Sequence, residues 1–193
     1  MKIPSTVQPK TSKVSSDAIA KWLAQGDVFR HDIAGSDFNL AVKGITEAFN
    51  TDKGILITGG VGCGKTLLMR QIFERMKFPS EKRWIDCSDA DGHLWVLDKT
   101  QNPEYYREQF QMNMFLDDLG TEVKTEYGRR VDFVSSFIQD YHSVGKKRLF
   151  ITTNLNAEGI AQTYDDRVID RIMDMCVVIP FTGKSKRNKV VIK

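Results

Sequence analysis

The clearest chemistry in this 193-residue chain lies in Gly59-Gly60-Val61-Gly62-Cys63-Gly64-Lys65-Thr66. The segment fits G-x-x-x-x-G-K-[ST], a pattern in which backbone N–H groups wrap a polyphosphate. Its glycines let the backbone approach the ligand closely and take up dihedrals that other residues avoid. Lys65 would bring a compact charge to the β- and γ-phosphates, and the Thr66 hydroxyl would ligate Mg²⁺. Leu67 follows on a helix whose positive end faces the phosphates. Cys63 reads as a small residue of the loop rather than a redox group.

Phosphoryl transfer also needs a carboxylate for the metal and a group that orients the attacking water. Met114-Phe115-Leu116-Asp117-Asp118 offers both at the end of an apolar run. Asp117 is the candidate metal ligand and Asp118 the candidate base. The plainer alternative is a strand ending in an Asp-Asp-Leu-Gly turn. Thr152-Thr153-Asn154 closes another apolar run. If its strand lies beside the first, Asn154 can bond the γ-phosphate or the water; otherwise it is a cap or turn residue before Ala157. Arg167 and Arg171 share one helical face, where like charges repel mildly. Either Asp170 and Asp174 offset that repulsion, or one arginine reaches the γ-phosphate of a neighbouring subunit and stabilises transition-state charge.

These residues must be positioned by short strands alternating with amphipathic helices. Apolar runs predict strands at 54–58, 83–87, 113–117, 148–153 and 176–180. Helical periodicity predicts helices at 65–77, 89–99, 103–111, 126–143 and 165–174. The alternation implies an α/β fold with a parallel sheet covered by helices on both faces. Its strand ends form one ligand-binding edge. Ahead of this core, 1–16 reads as a flexible basic arm and 17–50 as a short helical segment. In that segment Asp17 caps a helix that stops near Gly26, and Asp37 caps a second. The core spans 51–182, and 183–193 is a basic tail.

Composition bounds the class. Hydrophobic residues make up 41% and charged residues 27%, which excludes wholesale disorder. No apolar run approaches the ~18 residues of a membrane span, and residues 1–6 lack the apolar core of a secretory signal. The expectation is a soluble cytoplasmic protein without a membrane partner. Cys63, Cys87 and Cys176 have no C-x-x-C pairing, which excludes a disulfide framework and a zinc knuckle. The net charge of +3 is uneven: residues 1–13 and 183–193 contain lysine and arginine but no acid. Such ends can meet nucleic acid electrostatically or remain solvated. Trp84, Trp95, Tyr105, Tyr106 and Phe110 can stack on single-stranded DNA or pack in the core, and Trp84 fits the core better. Lys124, Arg129 and Arg130 can line a DNA-facing surface or simply begin a helix.

Taken together, Gly59–Thr66, Phe115-Leu116-Asp117-Asp118-Leu119-Gly120, Thr152-Thr153-Asn154-Leu155 and Arg167-Val168-Ile169-Asp170-Arg171-Ile172 resemble the bacterial helicase-loader ATPases, the DnaC, DnaI and IstB-like AAA+ proteins. The resemblance covers roughly residues 50–190. It implies a P-loop AAA+ core with a five-stranded parallel sheet, ATP and Mg²⁺ as cofactors, and self-association through the ATP sites. Asn154 matches the sensor 1 position, Arg171 the trans-acting arginine finger and Arg167 its companion. Gly183, Ser185 and Arg187 resemble the family's G-x-S-x-R tail. The family's partners are a replicative helicase or a transposase, together with single-stranded DNA. A helicase loader or replication accessory is therefore the leading expectation, with an IstB-like transposition helper next. A small-molecule kinase and a non-catalytic nucleotide switch are further alternatives. Two departures matter. The acidic pair is Asp-Asp where many AAA+ proteins have Asp-Glu, which implies slow hydrolysis, and no C-terminal lid domain is expected after the last strand.

Overall fold

The computed structural model describes residues 13–25, 35–76, 81–88, 97, 99, 103–122, 129–144 and 147–185. In chain order the elements are α1 (Ser16–Ala24), α2 (Gly35–Asn50), β1 (Gly54–Gly59), α3 (Lys65–Arg75), β2 (Lys82–Asp86), α4 (Pro103–Glu108), a 3-10 turn (Gln109–Gln111), β3 (Asn113–Leu119), α5 (Arg129–Val144), β4 (Leu149–Thr153), α6 (Ala157–Thr163), α7 (Asp166–Met175) and β5 (Cys176–Phe181). The strands form one sheet in the order β2-β3-β4-β1-β5, and every pairing is parallel. The chain thus has the P-loop α/β architecture, and β4 lies between β1 and β3.

Strand periodicity divides the core. Ile55, Ile57, Phe115 and Phe150 face α1, α2 and α3, where they join Leu23, Ala41, Ile45, Leu68 and Ile72. Leu56, Met114, Leu116 and Ile151 face the other way and join Phe137, Tyr141, Val168 and Ile172 of α5 and α7. Alternate residues along one strand point to opposite faces, so a sheet covered on both sides needs apolar residues at nearly every position. β4, Leu-Phe-Ile-Thr-Thr, is buried throughout. The aromatic stack Trp84–Phe115–Phe150, with centroids 6.1 and 4.4 Å apart, runs across β2, β3 and β4 on one face.

The five predicted strands appear at their expected places, with ends shifted by a residue or two. Predicted helix 89–99 lies outside the described residues except for Leu97 and Lys99. Segment 103–111 is a helix only to Glu108 and closes as a 3-10 turn. Helix α6 was not foreseen. It is one short segment capped by the Asn156 side chain, which accepts the Gly159 N–H at 2.8 Å.

Both predicted caps near the N-terminus are corrected. Ser15, not Asp17, caps α1, because its hydroxyl accepts the Ala18 N–H at 3.2 Å. Asp37 lies inside α2 and is fully buried. Its carboxylate accepts the Thr182 and Gly183 N–H groups at 2.9 and 2.8 Å, and the Thr182 hydroxyl at 3.2 Å. A buried carboxylate needs such partners, and here they fasten the chain leaving β5 to the helix beneath it. Of the segment read as an arm, residues 13–16 are described. Val14 exchanges both of its backbone bonds with the Asn50 amide, and Ser16 already belongs to α1. Within the 17–50 segment, α2 packs directly on β1 and β5. Among the described residues, no helix is long and apolar enough to cross a membrane.

Candidate functional site

β1, β3 and β4 bring their carboxyl ends to one edge of the sheet. Beyond β1 the chain turns through Gly59, Gly62 and Gly64, all at positive φ (147°, 79° and 105°), a region that side-chain-bearing residues rarely occupy. A Cβ at Gly59 would also sit 2.5 Å from the Phe181 carbonyl oxygen. Gly64 is the N-cap of α3 and makes no side-chain cap bond. The first N–H groups of that helix therefore point at the loop interior, where an anion is favoured. Val61 is exposed at the crest, Gly60 is exposed, and Leu67 is half-buried. The Cys63 side chain is buried beneath the loop, its sulfur 3.9 Å from Lys65 Nζ.

Lys65 is almost fully buried. Its ammonium donates to the carbonyls of Gly59 (2.9 Å) and Gly60 (2.8 Å) and to Asn154 Oδ1 (2.7 Å). A lysine ammonium has three donors, so each has an acceptor. The other end of the Asn154 amide, Nδ2, donates to Asp118 Oδ1 at 3.3 Å. One amide therefore bridges the loop lysine and the candidate base. The position of β4 between β1 and β3 makes this possible.

Asp117 lies deeper. Its Oδ1 accepts the Thr66 hydroxyl at 3.0 Å and the Thr152 hydroxyl at 2.5 Å. Burial holds its carboxyl above the usual carboxylate range. The two hydroxyl bonds pull it back, and the neighbouring Asp118 charge pushes it up further. A hydroxyl beside a carboxylate is a hard-oxygen donor set. It suits Mg²⁺, which takes one or two carboxylates and completes its shell with water and phosphate oxygens.

Asp118 has φ +54°, in the left-handed region, and β3 shifts register against β4 between Leu116 and Leu119. The bulge turns the Asp118 side chain towards Asn154 instead of into the strand pairing. Thr152 supports it: the same hydroxyl that donates to Asp117 accepts the Asp118 N–H at 2.9 Å. Thr153 donates to the Leu119 carbonyl at 2.7 Å and accepts the Leu155 N–H at 3.1 Å. Sequence reasoning took both threonines only as the end of a strand. The available signal was two hydroxyls in an otherwise apolar buried strand, where each must find a partner.

Asp117→Asn separates the cost of the charge from its use. The fold favours the protonated form, so the ionised carboxylate costs stability at neutral pH and the cost fades as pH falls through the raised pKa. The variant is expected to melt higher than the unsubstituted chain at pH 7.5. Thermal denaturation at descending pH should show the gap closing. A variant that melts lower at pH 7.5 would show that the charge is not a burden.

The structure brings together the loop residues 59–67, Asp117, Asp118 and Asn154. Arg167 and Arg171 lie on α7. Arg167 is exposed; Arg171 is half-buried, with Nη1 fully enclosed and without a hydrogen-bond partner among the described residues. The aromatic candidates divide. Tyr106 and Phe110 are buried, edge to face at 5.2 Å, and Tyr106 donates to Asp140 at 2.9 Å. Trp84 sits in the sheet stack with the Arg70 guanidinium over its ring at 5.8 Å. Tyr105 is half-buried under the Arg83 guanidinium at 5.2 Å. Core packing accounts for Trp84, Tyr106 and Phe110. Trp95, Lys124 and Arg187 lie outside the described residues, as do the side chains of Arg129 and Arg130, and Ser185 is exposed.

No protein-family profile matches the chain, and no curated protein matches it in sequence. Solved structures do match. The DnaC helicase loader aligns over 83% of this chain and 98% of its own, at TM-score 0.59 and 18% identity. A DNA replication initiation factor aligns over 79% of this chain and 48% of its own, at TM-score 0.58 and 18% identity. AMPPCP-bound DnaA from Aquifex aeolicus aligns over 77% of this chain and 48% of its own, at TM-score 0.56 and 17% identity. The chain therefore spans nearly all of the first relative and about half of the other two. The chain shares the fold of the DnaC helicase loader structure.

Proposed function

We propose that this chain binds ATP with Mg²⁺, hydrolyses it at sites shared between copies, and acts on DNA as a helicase loader or replication accessory. The observation that carries the reading is the continuous Lys65–Asn154–Asp118 chain of hydrogen bonds, with Asp117 and Thr66 paired beside it. Lys65 and the loop N–H groups hold the phosphates and neutralise the charge that develops on them. Thr66 and Asp117 would hold Mg²⁺, which would supply positive charge to offset that of the phosphates. Asp118 orients a water on the far side of the γ-phosphorus and accepts its proton as the new P–O bond forms. The bond to the β–γ bridging oxygen breaks, and ADP leaves. Asn154 fixes the carboxylate relative to the lysine, so that water and phosphate stay in line. Arg171, with Arg167 beside it, serves the site of the adjacent copy.

The DNA role is supported by similarity to a helicase loader over nearly the whole of that chain, and by lysine-rich segments at both ends. Single-stranded DNA would be held through its phosphates without base readout, so binding should weaken steeply with salt. Fluorescence anisotropy with a labelled single strand tests this, with Mg²⁺ and a non-hydrolysable ATP analogue present. The expected result is binding that falls about tenfold or more between 50 and 200 mM salt. Absence of binding at 50 mM salt would sink the DNA assignment and leave the ATPase assignment standing. A replicative helicase is the proposed protein partner; stable binding to a transposase instead would favour the transposition-helper reading.

A further inference from the structure

Asp118 occupies a left-handed backbone conformation, φ +54°, that its surroundings must hold in place. Thr152 supplies one support from β4. The rest comes from the turn itself. The Thr121 N–H and hydroxyl both donate to the Asp118 carbonyl, at 3.1 and 2.6 Å. Gly120 follows at φ +94°, and a Cβ there would sit 2.5 Å from Leu155 Cδ1. The Gly120 N–H donates to Glu122 Oε2 at 2.9 Å. The other oxygen of that carboxylate, Oε1, accepts the Tyr164 hydroxyl at 2.9 Å. Glu122 and Tyr164 are only 6% and 4% exposed, so neither has water as an easy substitute.

Tyr164 stands at a joint. It is the C-cap of α6, with its N–H bonded to the Ile160 carbonyl, and the next residue, Asp165, is the N-cap of α7. α7 carries Arg167 and Arg171. A residue four places beyond the candidate base is thus tied, across 42 positions of sequence, to the start of the arginine-bearing helix. Burial alone would disfavour this carboxylate, and it holds Glu122 above the usual range despite the bonds from Tyr164 and Gly120. A glutamate kept in such a place is expensive, and an apolar residue would cap the core without that cost.

We propose that Glu122 and Tyr164 form a positioning clasp that holds the Asp118 turn against the start of α7. One contact then sets both the carboxylate that orients water in its own site and the helix that presents arginines to the next. The inference rests on the ATP-hydrolysis reading for its functional meaning, while the clasp itself is a matter of geometry.

The test uses the full chain with Tyr164→Phe, Glu122→Ala and Glu122→Gln. Tyr164→Phe removes one oxygen and keeps the ring in the core. Steady-state ATP turnover is expected to fall about ten- to a hundredfold in Tyr164→Phe and Glu122→Ala, with KM within about twofold, because misplacement of a catalytic group acts on kcat. Glu122→Gln, which keeps an acceptor for the Gly120 N–H, should recover part of the loss. Amide hydrogen exchange over residues 118–122 is expected to quicken in Tyr164→Phe without ATP. Turnover within twofold of the unsubstituted chain in Tyr164→Phe, or a loss confined to KM, would overturn the positioning role. Unchanged exchange at 118–122 would overturn the clasp. If the unsubstituted chain does not hydrolyse ATP, the functional reading fails, and the exchange measurement still decides the clasp.

Discussion

Asp118→Asn is expected to lower ATP turnover by about 10²–10⁴-fold, the range over which a positioned general base contributes. Binding of ATP should be nearly unchanged. Asparagine is among the few residues that tolerate positive φ, so the bulge that carries this side chain is retained. Its amide can still meet Asn154, but it has no lone-pair charge to accept a proton from water. Lys65, the loop amides and the Thr66–Asp117 pair, which hold the nucleotide in the proposed site, are all intact. Turnover and equilibrium binding of a fluorescent ATP analogue, measured on the same preparation, check both halves. Turnover within a few fold of the unsubstituted chain would remove Asp118 from the base role.

Arg171→Ala is expected to cost as much or more, on the order of 10³-fold in turnover, if the residue stabilises transition-state charge in the adjacent copy. Among the described residues no hydrogen bond or ion pair joins Arg171 to the loop, and Lys65 bonds Gly59, Gly60 and Asn154, so ATP binding should survive. The two arginines are placed differently. Arg167 is exposed, whereas one Arg171 nitrogen is enclosed without an acceptor among the described residues. The variant also has a genetic-style check. Asp118→Asn lacks a base but has its arginines; Arg171→Ala is the converse. Mixing the two inactive variants should restore turnover where an Asp118 site meets an intact Arg171. A mixture that stays inactive, from variants that still assemble, would place the arginine outside the neighbouring site.

Much of this was legible in the sequence because the chemistry depends on residue types at short spacing. The loop 59–66 and the Asp117–Asp118 strand end are local patterns. The strands announce themselves as apolar runs because a sheet buried on both faces needs them. Asn154 depended on one topological condition, adjacency of β4 to β1, and the pairing Ile57↔Thr152 and Thr58↔Thr153 meets it. The unforeseen residues act over long separations. Asp37 looked like a helix cap because an aspartate near a helix start usually is one; its partners are 145 and 146 positions away. Thr152 looked like strand filler, yet its single hydroxyl serves both aspartates. Glu122 carries no local signal, and only the folded chain brings Tyr164 to it. The short α6 has too few turns for a periodic signal, and its cap, Asn156, follows too closely on Asn154 to be separated from it in the sequence.

The most direct test of a nucleotide site shared between copies is ATP turnover per subunit across a wide range of protein concentration, at fixed salt, with Lys65→Ala as the blank. The account predicts turnover well above the blank that rises with concentration as copies meet, and rises further with single-stranded DNA. Turnover that never exceeds the Lys65→Ala blank at any concentration would contradict it, and turnover per subunit that stays flat would contradict the sharing of sites.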